Sequence, residues 1–129
     1  MLRQLAFFTL VGAAGFVVDA SVLLLLTHAV GLDIYVARLL SWLTAATATW
    51  WLNRTLTFRD RGASLLRQWL MFLAANSGGG LINIGVSSAL IAARLTPVAA
   101  VACGSLAGLL WNFLASRRFV FGRPKPHLE

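Results

Sequence analysis

Polar side chains in this chain fall in short intervals, and between them run four apolar blocks: roughly Leu5 to Thr27, Ile34 to Leu52, Gln68 to Ala93 and Val98 to Ala115. Each block holds about the 20 residues that carry an α-helix through the hydrocarbon layer. None alternates polar and apolar positions as a membrane-barrel strand would. Lipid gives backbone N–H and C=O groups no partners, so helices are the spanning structure that remains. The pattern predicts an all-α integral membrane protein with four transmembrane helices. The first block is longer than the core of a cleaved signal sequence, and no small-x-small site followed by a soluble domain comes after it, so it is read as a helix.

The chain also repeats itself. An offset of 64 carries Arg3, Gln4, Phe8, Gly15 and Asp19 onto Arg67, Gln68, Phe72, Gly79 and Asn83. An offset of 63 carries Arg54 and Phe58 onto Arg117 and Phe121, so that "NRTLTF" matches "SRRFVF". The predicted architecture is therefore two parallel helical-hairpin repeats, about 1–61 and 62–123, in one transmembrane domain spanning 1–126. A unit that crosses twice returns to the side it left, which predicts a pseudo-two-fold along the membrane normal. The final "HLE", 127–129, resembles a tag-derived tail and is set aside.

Within each second helix a small or polar residue recurs at every fourth position: Ala37, Ser41, Ala45, Thr49, Asn53 in one copy and Ala100, Gly104, Gly108, Asn112, Ser116 in the other. That spacing keeps the row on one slowly drifting face, where small side chains let two backbones approach closely. Helix packing accounts for the Gly, Ala and Ser positions. It accounts less readily for Asp19, Asn76, Asn83 and Asn112, and a carboxylate at mid-membrane costs roughly 2.5–3.5 kcal/mol on the insertion scale. Three readings of Asp19 stay open: a structural carboxyl facing the bundle, a proton or cation site, or a holder of a substrate's polar group.

Composition agrees with the pattern. Of 129 residues, 59% are hydrophobic and 12% charged, and the mean hydropathy is +0.79. Nine of the 11 basic residues (Arg3, Arg54, Arg59, Arg61, Arg67, Arg117, Arg118, Arg123 and Lys125) fall at the N-terminus, between blocks two and three, or at the C-terminus. The positive-inside rule places those segments, and both termini, in the cytoplasm. Arg38 and Arg94, on the opposite side, are read as snorkelling from helix ends. The net charge of +7 then follows from topology and attraction to anionic lipid, and nucleic-acid binding is not expected. The single cysteine, Cys103, excludes an intrachain disulfide. His28 has no partner at metal-ligand spacing, and the Gly78-Gly79-Gly80 run does not follow a strand, so neither a metal site nor a phosphate loop is expected. No cofactor and no enzymatic activity are expected either.

In the two tails, an aromatic helix end meets arginines at headgroup level. Trp51 and Trp111 read as interfacial aromatics, and Arg54, Arg117 and Arg118 as topology signals or, as planar forks, as a phosphate-binding cluster. With its four helices in about 120 residues, acidic first helix and paired Asn/Ser-Arg-x-x-x-Phe tails, the chain resembles the GtrA-like family of bacterial inner-membrane proteins, over about Leu5 to Phe121. It departs from the family pattern at Leu56, Ser116 and Phe119. The resemblance implies work in cell-surface polysaccharide synthesis, by translocation of a polyprenyl-phosphate-linked sugar from the cytoplasmic to the outer leaflet.

On that reading Arg54, Arg117 and Arg118 grip the phosphate, and Asp19, Asn53, Asn76, Asn83 and Asn112 offer hydrogen bonds to sugar hydroxyls. The expected partners are the lipid-linked sugar, membrane lipids, a second copy of the chain and, on an alternative reading, a glycosyltransferase for which the protein is a membrane scaffold. A small proton-coupled multidrug exporter is a further alternative, since such proteins also carry one acidic residue in the first of four short helices.

Overall fold

The computed structural model describes residues 1–62 and 64–122, the Pro97 side chain excepted. Arg123, Lys125, the 127–129 tail and the expected domain and repeat ends near 126 and 123 lie outside the described residues. The described residues are helical with no strand: α1 (Leu2–Leu24), α2 (Ile34–Leu52), α3 (Leu65–Ala92) and α4 (Pro97–Ala115), with π-helical turns at Leu25–Ala29, Asn53–Thr57 and Ser116–Val120. Two compact units divide the chain, Met1–Gly62 and 63–129, each built around one pair of helices.

In the first unit α1 continues through its π turn to Ala29 and reverses at Gly31, whose φ of 76° suits a residue without a Cβ. Asp33 then caps α2, its Oδ1 accepting from the amides of Tyr35 (3.0 Å) and Val36 (3.3 Å). In a π turn the backbone bonds shift to the fifth residue, which leaves carbonyls of the preceding α turn short of donors. Threonine hydroxyls fill that gap: Thr27 donates to Leu23 O at 2.8 Å and Leu24 O at 3.3 Å, and Thr55 to Trp51 O and Leu52 O at the same distances. Gly15 faces Thr49 so closely that an added Cβ would overlap the threonine methyl.

In the second unit α3 ends in a Schellman turn, with Arg94 N–H bonding Ile91 O and Leu95 N–H bonding Leu90 O, both at 3.0 Å, around a left-handed Arg94 (φ 72°). Thr96 caps α4, with Pro97 in its first turn. The crossing of α3 and α4 is a contact of backbones. A Cβ on Gly108 would lie 2.7 Å from the Gly79 carbonyl oxygen, and one on Gly104 2.6 Å from that of Asn83. The fourfold rows of small residues thus lie in these interfaces, with Ala37, Ser41, Ala45 and Asn53 buried in one unit and Ala100, Gly104, Gly108 and Ser116 in the other.

Three helical stretches are long and apolar enough to cross a membrane: Leu2–Ala29, Leu65–Ala92 and Val98–Val120. The expected fourth, α2, is a 19-residue helix that falls short on composition because it carries Arg38, Thr44, Thr47 and Thr49. Those hydroxyls are satisfied inside the helix, where Thr44 donates to Leu40 O, Thr47 to Leu43 O and Thr49 to Ala46 O. Leu10, Phe16, Val17, Leu39, Leu81, Ile84 and Leu106 are exposed on the helix sides, as a lipid-facing surface requires. The chain is a multi-pass membrane protein.

Candidate functional site

The end of α2 is built to hold an arginine inside protein. In the π turn Asn53–Thr57, Asn53 and Thr57 are buried, and the Thr57 hydroxyl donates to Asn53 Oδ1 at 2.8 Å. Arg54 lies between them in sequence and is only 8% exposed. Backbone bonds from Phe58 N–H to Asn53 O (2.9 Å) and from Asp60 N–H to Arg54 O (3.0 Å) close the turn, and Arg59 takes a left-handed φ of 52° to permit the second. This return brings Arg59, Asp60 and Arg61 back beside Arg54. Together with Trp51 and Thr55 they line a cleft of about 490 Å³, in which three guanidiniums face one carboxylate. A cleft with that surplus of planar cations suits a phosphate or phosphodiester.

The second unit has a related end with different exposure. Phe72 and Phe121 rings pack at 6.1 Å, as Phe8 and Phe58 do at 6.2 Å in the first. Gln68, 1% exposed, donates its amide to Val120 O at 3.4 Å. Ser116 is fully buried, with its hydroxyl unpartnered. Arg117 and Arg118, however, are exposed, unlike Arg54. Matching tail sequences therefore do not give matching arginine environments.

Of the intramembrane polar residues, Asp19, Asn76 and Asn83 find partners within their own hairpin, whereas Asn112 Oδ1 is buried without one. Asp19 Oδ2 accepts from Arg38 Nη1 at 2.5 Å, while Asp19 Oδ1 is buried without a partner. Arg38, read as snorkelling from a helix end, is 55% exposed and pairs across the α1–α2 hairpin with the one acid of α1. In the other unit Asn83 accepts from the Ser87 hydroxyl at 3.1 Å and its amide reaches Ser105 at 3.5 Å. Asn76 donates to Phe72 O at 2.9 Å, and the Asn112 side chain lies against Gly79. Of the two tryptophans read as interfacial, Trp51 is exposed at the cleft, whereas Trp111 donates its indole N–H to Ala75 O at 3.1 Å across the α3–α4 pair.

Within the first unit the structure thus gathers Arg54 with Trp51, next to the Asn53–Thr57 pair, and adds Arg59 and Arg61. Those two arginines read in sequence as flanking positive charge or, on the scaffold alternative, as docking surface. Asp19 is not part of this cluster, because its partner Arg38 stands 15 residues before Asn53 on α2, roughly 22 Å along a helix. Arg38 itself was legible only as a basic residue near a helix end. Among the described residues no group of three or more His, Cys, Asp or Glu side chains is placed to hold a metal ion.

No individual curated protein matches the chain significantly. Residues 7–121 match the family described as GtrA/DPMS, transmembrane domain. That match spans both hairpins and both arginine-bearing tails, and the chain belongs to the GtrA/DPMS transmembrane-domain family.

Proposed function

We propose that this protein carries a polyprenyl-phosphate-linked sugar across the bacterial inner membrane, for cell-surface polysaccharide or glycan modification, without performing covalent chemistry. The observation that carries the reading is the nearly buried Arg54 at the base of a cleft it shares with Arg59 and Arg61. A guanidinium held in protein at a helix end is preorganised to take a phosphate as a bidentate partner, where a mobile surface lysine is not. Family membership supports lipid-linked sugars as the class of cargo.

In this proposal both termini and both tails are cytoplasmic, and the hairpins are repeats of one unit. The Gly15–Thr49 and Gly79–Asn112 contacts and the two phenylalanine pairs support the repeat. Arg54 receives the phosphate, Arg117 and Arg118 serve as a second basic tail, and Asp19, Asn53, Asn76, Asn83 and Asn112 are the groups available to sugar hydroxyls. A homodimer completes the assembly, since four short helices enclose little volume. In proteoliposomes the protein should accelerate transfer of a labelled polyprenyl-phosphate sugar between leaflets, and Arg54→Ala should abolish the acceleration. Equal rates with wild-type, variant and empty vesicles would refute the carrier.

A second reading, a membrane scaffold that recruits a glycosyltransferase, is favoured by the exposure of Arg61, Arg67, Arg117 and Arg118. Co-purification of a transferase that is lost on reversing those charges but survives Arg54→Ala would select it.

A further inference from the structure

Beside the start of α1 lies a second groove, of about 270 Å³, lined by Arg3, Gln4, Phe7, Thr57, Phe58 and Arg59. It flanks the same π turn as the arginine cleft, and Arg59 lines both. The two differ in chemistry. The cleft has three arginines and one carboxylate, whereas this groove has no carboxylate and sets Arg3 and Arg59 beside a carboxamide, a hydroxyl, Leu56 and two aromatic rings, with the Arg3 guanidinium 5.6 Å from the Phe7 ring centre. Groups that both donate and accept, set beside apolar ring faces, match a carbohydrate, which shows hydroxyls at its edge and C–H groups on its face.

The second unit shows what this place looks like when it is filled. There Gln68, at the position matching Gln4, is buried and spends its amide on Val120 O. Residue 57 is threonine where residue 120 is valine, and Arg59 stands where the other tail has Gly122. Gln4 is half-buried at the groove wall, and its side chain makes no hydrogen bond among the described residues. The first unit therefore keeps a groove beside a Gln4 amide that has no hydrogen bond among the described residues, where the second unit buries the matching Gln68 amide against Val120 O. The Thr57 hydroxyl donates to Asn53 Oδ1 and keeps its lone pairs as acceptors.

We propose that this groove is a glycosyl subsite, in which Gln4 and Thr57 bind hydroxyls of the sugar whose phosphate lies in the adjoining cleft, with Arg59 at the junction. The proposal rests on the reading of the Arg54 cleft as a phosphate site. The groove's volume, about 270 Å³, sits just below the range of about 300–1,000 Å³ typical of small-molecule pockets and has room for one sugar ring.

The test is equilibrium binding to the full chain in nanodiscs, with farnesyl phosphate and farnesyl phosphates bearing one glucosyl, mannosyl or arabinosyl group as probes. At least one glycosylated probe should bind about tenfold more tightly than farnesyl phosphate. Gln4→Ala should erase that preference while leaving farnesyl phosphate affinity within about threefold. Gln4→Met, which keeps the length and apolar volume but not the amide, should do the same. A preference that survives both variants, or its absence from the wild-type chain for all three sugars, overturns the subsite. Displacement of the glycosylated probe by equimolar phosphatidylglycerol also overturns it and makes the groove a general headgroup site. Failure of the underlying phosphate reading is separately visible, because Arg54→Ala would then leave farnesyl phosphate affinity unchanged whatever Gln4 does.

Discussion

Asp19 and Arg38, on facing helices of one hairpin, form a 2.5 Å ion pair in which the carboxylate is 18% and the guanidinium 55% exposed. Removing one partner strands a charge in a setting where water is scarce, whereas removing both does not. Asp19→Asn and Arg38→Gln should each lower stability by roughly 1–3 kcal/mol, and the double variant should cost less than their sum. Detergent unfolding curves for the four proteins measure the coupling. Strictly additive losses would show that the pair contributes nothing as a pair.

The glycines are not equivalent. A Cβ on Gly80 meets nothing within 4 Å, while one on Gly108 meets the Gly79 carbonyl at 2.7 Å. Gly80→Ala should be neutral or gain up to about 1 kcal/mol from helix propensity. Gly108→Ala should cost roughly 1–3 kcal/mol, because backbone cannot swing aside as a side chain can. Thermal unfolding in the same detergent compares the two, and the order Gly108→Ala above Gly80→Ala would contradict the backbone contact.

Arg54 and Arg117 match in sequence but not in exposure. If the buried arginine is the phosphate ligand, Arg54→Lys should already cut leaflet transfer about tenfold, since an ammonium cannot reproduce the bidentate fork. Arg117→Lys should retain most of the rate. Equal losses at both positions would mean that the two tails contribute alike.

Arg94 ends α3 in a left-handed conformation, with φ of 72°. Glycine adopts that conformation without a Cβ penalty, so Arg94→Gly should raise stability by about 0.5–1 kcal/mol, and Arg94→Ala should not. The unfolding midpoint of each variant checks this, and a loss in Arg94→Gly would show that the guanidinium outweighs the backbone.

The helical character, the apolar blocks and the faces of contact were legible in the sequence because they follow from periodicity. Ala37, Ser41 and Ala45 recur every four residues, and the interface lies there. The Asp19–Arg38 pair was not legible, since it depends on how the loop around Gly31 sets one helix against the next, and a separation of 19 positions between two charges does not encode that. Arg54 and Arg117 share a motif, and only packing around the turn separates a buried guanidinium from an exposed one. That the exposed Trp111 also bonds the Ala75 carbonyl of α3 depends on how the two helices cross, which the sequence pattern does not carry. Gln4 reads in sequence only as a repeat position matching Gln68, because nothing in the pattern shows that one amide is buried and the other left at a groove.

The π turns also act as a phase correction. In an α-helix, residues four apart advance roughly 40° around the axis, so a row kept every fourth position must drift out of an interface within a few turns. A turn bonded to the fifth residue is underwound, and there the same step falls back by about 30°. Ala37, Ser41, Ala45, Asn53 and Thr57 are all buried, and so are Ala100, Gly104, Gly108, Ser116 and Val120. The underwound ends thus act on the last step of each row, turning Thr57 and Val120 back where a further α step would carry them onward.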